Sequence, residues 1–340
     1  MRRLPVIQSF LPFMLLMFVL FPVRVDAQNA FDRIIVFGDS LSDAGNKYVV
    51  TGLINVPPYD LLDPLLVPEG PYARGGLHHS NGATWIEQMA RPLGFGGDVR
   101  PALGSQGRAS NYAYAGARAR DAVDIDNIHL SEQVATFLAD ERYVAPPDAL
   151  YIIFIGGNDV PDAVGALVND PSGLTSIGIM GDAVASVNES VLSLYTAGAR
   201  KFLILNAPDL GLVPAMNILD QVFPGAADAA TCFSALYNFG TPVPCVPTGI
   251  VIPGLADVLD ALEGMPGIDI LRLDIFAVLR QFVADPAAFG LSNVTDACVM
   301  PGQVPFVCGT PGEYLYWDGI HPTKAVHAII AGKAAEVLAQ

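Results

Sequence analysis

An α/β domain with a mostly parallel sheet is the fold class this sequence predicts, and three observations predict it. Short, almost wholly apolar runs of strand length recur at residues 34–37, 149–155 and 201–205. Each stops abruptly, at Gly38-Asp39, at Gly156-Gly157 and at Asn206-Ala207-Pro208-Asp209. Segments of helical period or long crossovers separate them, and no internal repeat or detachable linker intervenes. Strands buried on both faces of a parallel sheet read as continuous apolar runs, and their alternation with helices is the pattern of a layered α/β domain. With 340 residues, 52% of them hydrophobic, the chain can bury a substantial core.

Taken in order, the chain opens with Arg2 and Arg3 ahead of an apolar run over residues 10–21, followed by Val25-Asp26-Ala27. This is the layout of a secretory signal peptide, expected to span 1–27, with Ala30 as a second cleavage site. The run is short and contains Pro12, which argues against a membrane span. The expected product is a single domain, 28–340, secreted or periplasmic, with no transmembrane anchor. Removing 1–27 takes away three arginines and one aspartate, so the 18 basic and 34 acidic residues become 15 and 33 and the formal charge moves from -16 to -18. Such acidity opposes nucleic-acid binding and favours solubility. Cys232, Cys245, Cys298 and Cys308 all lie in the exported part. Local pairs 232–245 and 298–308 would close short loops, although four cysteines allow three pairings. The absence of Cys-x-x-Cys spacing, with no histidine between the pairs, argues against zinc. Asn188 and Asn293 begin glycosylation sequons.

Beyond the first strand, residues 47–79 carry five prolines and several glycines, which excludes a long regular helix. There Leu61, Leu62, Leu65, Leu66 and Val67 are expected to line a substrate cleft or plug the core. Asn81 is placed to cap a helix over 83–90 whose Trp85, Ile86 and Met89 share a face. Residues 102–116 read as a small, polar loop with Gly116 at its turn. Ser131 and Glu132 introduce an amphipathic helix, and 183–197 reads as another. Residues 211–257 are the least regular part, with a helix beginning at 256. A strand is expected at 268–271, a helix at 275–283, loop-like chain over 285–312, and a final helix starting at Thr323. Long loop insertions are therefore expected at about 47–79, 211–257 and 285–312.

Ser40 stands just past the first strand, at the sheet edge where crevices of α/β folds open. A serine there is commonly a turn or cap residue. Asp318 and His321 lie three apart beside a structural break, so one short loop can carry an acid and a base together. Gly116 can serve a tight turn and Asn158 a cap.

Four blocks give these positions a common reading. The stretch Gly38-Asp39-Ser40-Leu41-Ser42-Asp43 resembles the first block of the GDSL, or SGNH, serine hydrolases. Asn111-Tyr112-Ala113-Tyr114-Ala115-Gly116-Ala117 resembles the glycine block of that family, and Gly156-Gly157-Asn158-Asp159 its asparagine block. Asp318-Gly319-Ile320-His321 resembles its last block, and all four stand in the family's order. Ser80-Asn81-Gly82 with Trp85 and Glu87 is similar to an element of the larger GDSL enzymes. The resemblance implies a flavodoxin-like three-layer α/β/α sandwich, the SGNH hydrolase fold. It also implies Ser40 as nucleophile, His321 as base and Asp318 as its orienter, with the N–H groups of Ser40 and Gly116 and the amide of Asn158 as the oxyanion hole. Asp39 and Asp43 are expected to support the nucleophile turn.

The implied activity is a secreted serine esterase or lipase acting on a lipid or other small-molecule ester through an acyl-enzyme. Acyl transfer by the same triad, removal of acetyl groups from carbohydrate, and binding without catalysis are the alternatives. No cofactor or metal is expected. His78 and His79 sit beside the expected cleft, while His129 and His327 belong to helix surroundings, and none of them completes a ligand set.

Overall fold

A computed structural model describes residues 31–105, 109–123 and 127–340; the expected signal segment lies outside them. Residues Phe31–Gln340 form one compact unit. Its core is a parallel sheet of β1 (Arg33–Gly38), β2 (Ala149–Phe154), β3 (Lys201–Leu205) and β4 (Asp269–Leu273), paired in that order. The register sets Phe37 beside Ile153 and Ile153 beside Ile204. All six residues of β2 are buried, as a strand covered on both faces requires.

A further extended segment completes the sheet. Ser110 and Tyr112 exchange backbone hydrogen bonds with Val36, and the Tyr114 N–H donates to the Gly38 carbonyl. This chain runs parallel to β1 on the side away from β2. Counted with it, the spatial order is 2-1-3-4-5, the flavodoxin order, whose connections diverge on either side of the first strand. The crevice at that switch point lies over the carboxyl ends of β1 and β2, from which Ser40 and Asn158 follow.

The side chains of the strands alternate between two helical layers. Phe37 and Tyr151 meet Phe137 of α3 (Leu130–Asp140) edge to face, whereas Phe154 meets Trp85 of α2 (Trp85–Ala90). The short α1 (Asn46–Thr51) follows the turn that carries Ser40. Next to α3 pack α5 (Leu174–Ala197) and, through it, α4 (Asp159–Ala166) and α7 (Ala226–Phe239). α6 (Pro214–Asp220) joins α7, α8 (Leu255–Glu263) packs on both α5 and α7, and α9 (Ile275–Ala284) follows β4. The last helix, α10 (Lys324–Leu338), packs on α2. Outside the main sheet, β5 (Asn293–Ala297) and β6 (Tyr314–Tyr316) make a separate parallel pair.

Several sequence expectations are corrected. Asn81 does not cap α2; Thr84 does, and its N–H donates to Glu87 in the first turn. The Asn81 side chain instead accepts the N–H of Lys324 at the start of α10. Residues 211–257 are not an irregular insertion, since α6 and α7 occupy them. Pro214 sits at the first position of α6, where a missing N–H breaks no bond, and Gly225 enters α7 at φ +96. The expected loop 285–312 contains β5, and α5 begins nine residues before the helix expected from 183. Leu65 and Val67 pack against the core, while Leu62 joins a satellite cluster built on Tyr59, Tyr72 and Trp317. Thr323 caps α10 as expected, its Oγ1 accepting the Val326 N–H.

Candidate active site

Ser40 occupies a turn that the core holds from several directions. Gly38, the last residue of β1, is clamped by Gln133 of α3, whose Oε1 accepts the Gly38 N–H while its Nε2 donates to the Gly38 carbonyl. Gly38 must be glycine, because a Cβ there would strike the Phe154 carbonyl. Asp39 Oδ1 accepts the Leu41 N–H at 3.0 Å. The carboxylate of Asp43 takes the N–H groups of Gly45, Asn46 and Lys47, and also that of Ala115 in the glycine block. Asn46 Nδ2 donates to the carbonyls of Asn111 and Ala113, and Asn111 Nδ2 donates back to Ser42. Asp39 and Asp43 thus bond the backbone of this turn. Gln133, Asn46 and Asn111 were not singled out for this role by the sequence.

Asp318 and His321 arrive from the other end of the chain. His321 Nε2 lies 2.8 Å from Ser40 Oγ, and its Nδ1 lies 2.9 Å from Asp318 Oδ2. Asp318 is fully buried and His321 only 5% exposed. Four donors converge on the Asp318 carboxylate: the ring of His321, the N–H groups of Ile320 and His321, and the hydroxyl of Tyr72 at 2.9 Å. Burial, followed by the negative charge of Asp318, holds the Tyr72 phenol well above its ordinary pKa, so it remains a donor. The Gly319 N–H donates to the Leu66 carbonyl, and a Cβ at Gly319 would strike the Leu65 carbonyl. This fixes the turn of Asp318 and His321 against the proline-rich segment.

Gly116 takes φ +86, and a Cβ on it would meet Asn127 Oδ1, so both backbone and packing demand glycine. Asn158 stands at the N-cap position of α4, but its side chain does not cap the helix. Its Nδ2 donates one hydrogen to the Ala117 carbonyl at 2.8 Å, which leaves the second hydrogen of the amide. Ser40, Gly116 and Asn158 border one cavity together with His321.

Two cavities meet at Ser40, Asn158, Ile320 and His321. One is a slot of about 60 Å³ walled by Leu41, Phe154, Leu210, Val278, Phe282 and Ile330 among other apolar side chains. The other measures about 480 Å³ and is bordered by Lys47, Thr51, Glu69, His79, Asn127 and Val67. Asp39, on the slot side, is pushed up to about 6 by burial, against the Leu41 N–H and the pull of His321. Burial also raises Asp43, opposed by its four backbone donors. Of the two neighbouring histidines, His79 borders the larger cavity, whereas Nε2 of His78 meets Glu87 at 2.6 Å. His327 Nδ1 accepts the Trp85 N–H, a structural role.

The four cysteines form Cys232–Cys245 and Cys298–Cys308. The second bridge lies in the satellite cluster that contains Tyr72 and Trp317, beside the turn of Asp318 and His321. Among the described residues no helix is long and apolar enough to cross a membrane.

Residues 34–247 match the family model described as GDSL-like Lipase/Acylhydrolase. That span contains Ser40, Gly116 and Asn158 and stops short of Asp318 and His321. The chain is 24% identical to a GDSL esterase/lipase of Arabidopsis thaliana, over 88% of this chain and 86% of the relative. It is 26% identical to a phosphatidylcholine-sterol acyltransferase of Aeromonas hydrophila, over 91% of each. Among solved structures, an acetylxylan esterase from Geobacillus stearothermophilus superposes with a TM-score of 0.40 at 14% identity, over 91% of this chain and 94% of its own.

Proposed function

This chain belongs to the GDSL-like lipase/acylhydrolase family and is a serine ester hydrolase; from that premise we propose that it cleaves esters of apolar acyl chains through an acyl-enzyme on Ser40. The observation that carries the reading is the 2.8 Å approach of His321 Nε2 to Ser40 Oγ at the mouth of an apolar slot. His321 takes the Ser40 proton as the oxygen attacks the ester carbonyl, and Asp318 holds the ring in the required tautomer. Negative charge then develops on the carbonyl oxygen, where the N–H groups of Ser40 and Gly116 and the free amide hydrogen of Asn158 serve as donors. Collapse expels the alcohol, protonated by His321, and a water activated by the same ring releases the acid.

An apolar slot beside the nucleophile favours an apolar acyl group, because its walls lose contact with water only when such a chain fills it. A series of acetyl, butyryl, octanoyl and palmitoyl esters, with Ser40→Ala as control, tests this. Activity is expected to rise beyond acetyl. Preference for acetyl over every longer chain would point instead to a deacetylase.

Acyl transfer to an alcohol is the second reading, favoured by the wide cavity at the same serine. Product analysis with added alcohol separates the two, since ester exchange exceeding hydrolysis marks a transferase. We also assign the mature protein to an oxidising compartment outside the cytoplasm, supported by its two disulfides. Intact mass without reductant should correspond to a chain starting near Gln28; recovery with residues 1–27 retained contradicts export by cleavage.

A further inference from the structure

Two of the proposed oxyanion donors stand on different segments, and catalysis needs them held at one spacing. Gly116 follows the extended chain beside β1, whereas Asn158 precedes α4. A glycine at φ +86 has no side chain to stiffen its backbone, so the peptides on either side of it turn easily unless other groups hold them. Before Gly116, the Ala115 N–H is tied to Asp43. After it, the Ala117 N–H donates to the Tyr114 carbonyl at 3.0 Å, and the Gly116 carbonyl accepts from Arg118 Nη1, also at 3.0 Å. Both ends of the peptide that follows Gly116 are therefore bonded, one of them by a side chain.

The same guanidinium reaches across to the asparagine block. Arg118 Nε and Nη2 lie 2.8 and 3.0 Å from the two carboxylate oxygens of Asp162, in the first turn of α4. The two side chains are 21% and 25% exposed, too sheltered for water to screen them as it screens a surface pair. Asn158 is tied to the same stretch by its bond to the Ala117 carbonyl, and Asp159 accepts the Ala119 N–H at 2.8 Å. Arg120 Nη2 also meets Asp162, at 2.6 Å, but among the described residues it has no bond to Gly116. An acid in the first turn of a helix is stabilising wherever it points, which alone would account for Asp162. It does not account for a guanidinium that spans Asp162 and the Gly116 carbonyl. Only arginine has a planar fork that fills a carboxylate with two N–H groups and keeps a third aimed elsewhere. We propose that Arg118 is a positioning residue of the oxyanion hole: gripped by Asp162, it fixes the Gly116 carbonyl and thereby sets the Gly116 N–H at its working distance from the Asn158 amide. The proposal deepens the Ser40 reading and rests on its oxyanion assignment.

Steady-state kinetics with the best ester of the chain-length series test it on Arg118→Met, Arg118→Lys and Arg120→Met, each alone and combined with Asn158→Ala. Arg118→Met is expected to lower kcat about 10- to 100-fold, the scale of a small misplacement near the reacting atoms, with KM within about twofold of wild type. Arg118→Lys keeps the charge but not the fork, and should restore little of that loss. Arg120→Met takes an equal charge from the same carboxylate and should leave kcat within about twofold of wild type. Because Arg118 acts through the spacing of the two donors, Arg118→Met should cost less in an Asn158→Ala background than in wild type. An unchanged kcat in Arg118→Met, full activity in Arg118→Lys, an equal loss in Arg120→Met, or losses that simply multiply with Asn158→Ala overturns the proposal. Urea midpoints accompany each variant, and a lower midpoint with wild-type kcat would reduce Arg118 to a stabilising ion pair. Should Arg118→Met fail to fold, Arg118→Lys replaces it in the cycle with Asn158→Ala under the same criteria. Failure of the underlying reading has a different signature: an unchanged kcat in Asn158→Ala itself.

Discussion

The turn that carries Ser40 and the turn that carries His321 are built in opposite ways. The first grows out of β1 in the middle of the sheet, and Asp43, Asn46, Asn111 and Gln133 tie its backbone to α1, α3 and the glycine block. The second lies beyond β6, outside the main sheet, and is held by the Leu66 carbonyl, the hydroxyl of Tyr72 and an aromatic cluster stapled by Cys298–Cys308. The proposed nucleophile is positioned by the same hydrogen bonds that make the fold, so it cannot drift unless the core does. The proposed base depends on tertiary contacts between segments as much as 246 residues apart, and these can loosen while the sheet stands.

Removing the reacting atoms has the largest expected effect. Ser40→Ala should lower turnover by a factor on the order of 10⁶, as seen when a hydrolase triad loses its nucleophile, with the unfolding midpoint close to wild type. Kinetics with an activated ester, together with mass mapping of a phosphonate adduct, check it; full turnover by this variant would refute the nucleophile assignment. Asn158→Ala comes next, at about 3–4 kcal/mol in the transition state, or roughly 10²–10³ in kcat, with native circular dichroism. An unchanged kcat removes Asn158 from the oxyanion site.

Replacing both Cys298 and Cys308 by serine probes the difference between the two turns most directly. Loss of a bridge across a 10-residue separation costs about 3 kcal/mol on the chain-entropy estimate. The loss should be local, so that ester turnover disappears at lower urea than the far-ultraviolet signal does. Coincident loss would mean that both turns belong to one cooperative unit.

Asp39 tests the nucleophile side. Its pKa is raised from 3.8 to about 6, so the stability this implies is fully present below 3.8 and is lost as pH rises through 6. An asparagine in its place is neutral throughout and can still accept the Leu41 N–H. Relative to wild type, Asp39→Asn should gain up to about 3 kcal/mol between pH 4 and pH 7, measured as urea midpoints; a difference that does not vary with pH would show that burial does not penalise this carboxylate. Smallest of all, Tyr72→Phe removes one of four donors to Asp318 and should cost about 1 kcal/mol, roughly fivefold in kcat. A lower unfolding midpoint with kcat unchanged would make Tyr72 merely a packing residue.

What could be read in the sequence followed how local the determining physics is. Ser40 at a strand end, and an acid and a base three residues apart, carry their geometry within a few residues, and the structure brings the three together. The two disulfides are the local pairs that close short loops, one of the three pairings four cysteines allow. The fifth strand was hidden because residues 110–114 make only a few sheet hydrogen bonds and contain no β-branched residue. α6 and α7 were hidden because Pro214 and Gly225 look like interruptions when they in fact start helices. Tyr72 gave no signal, and His79 could be placed only beside the expected cleft: their partners are separated from them by more than 240 residues, and only the folded chain chooses them.

The separation of 281 positions between Ser40 and His321 has a further consequence, in time. At about 5–20 residues per second, roughly 15–60 s of synthesis pass between the appearance of the nucleophile and that of its base. Throughout that interval the emerging chain carries Ser40 without the residue proposed to activate it. On that assignment the site is complete only once residues 318–321 reach the turn that follows β1.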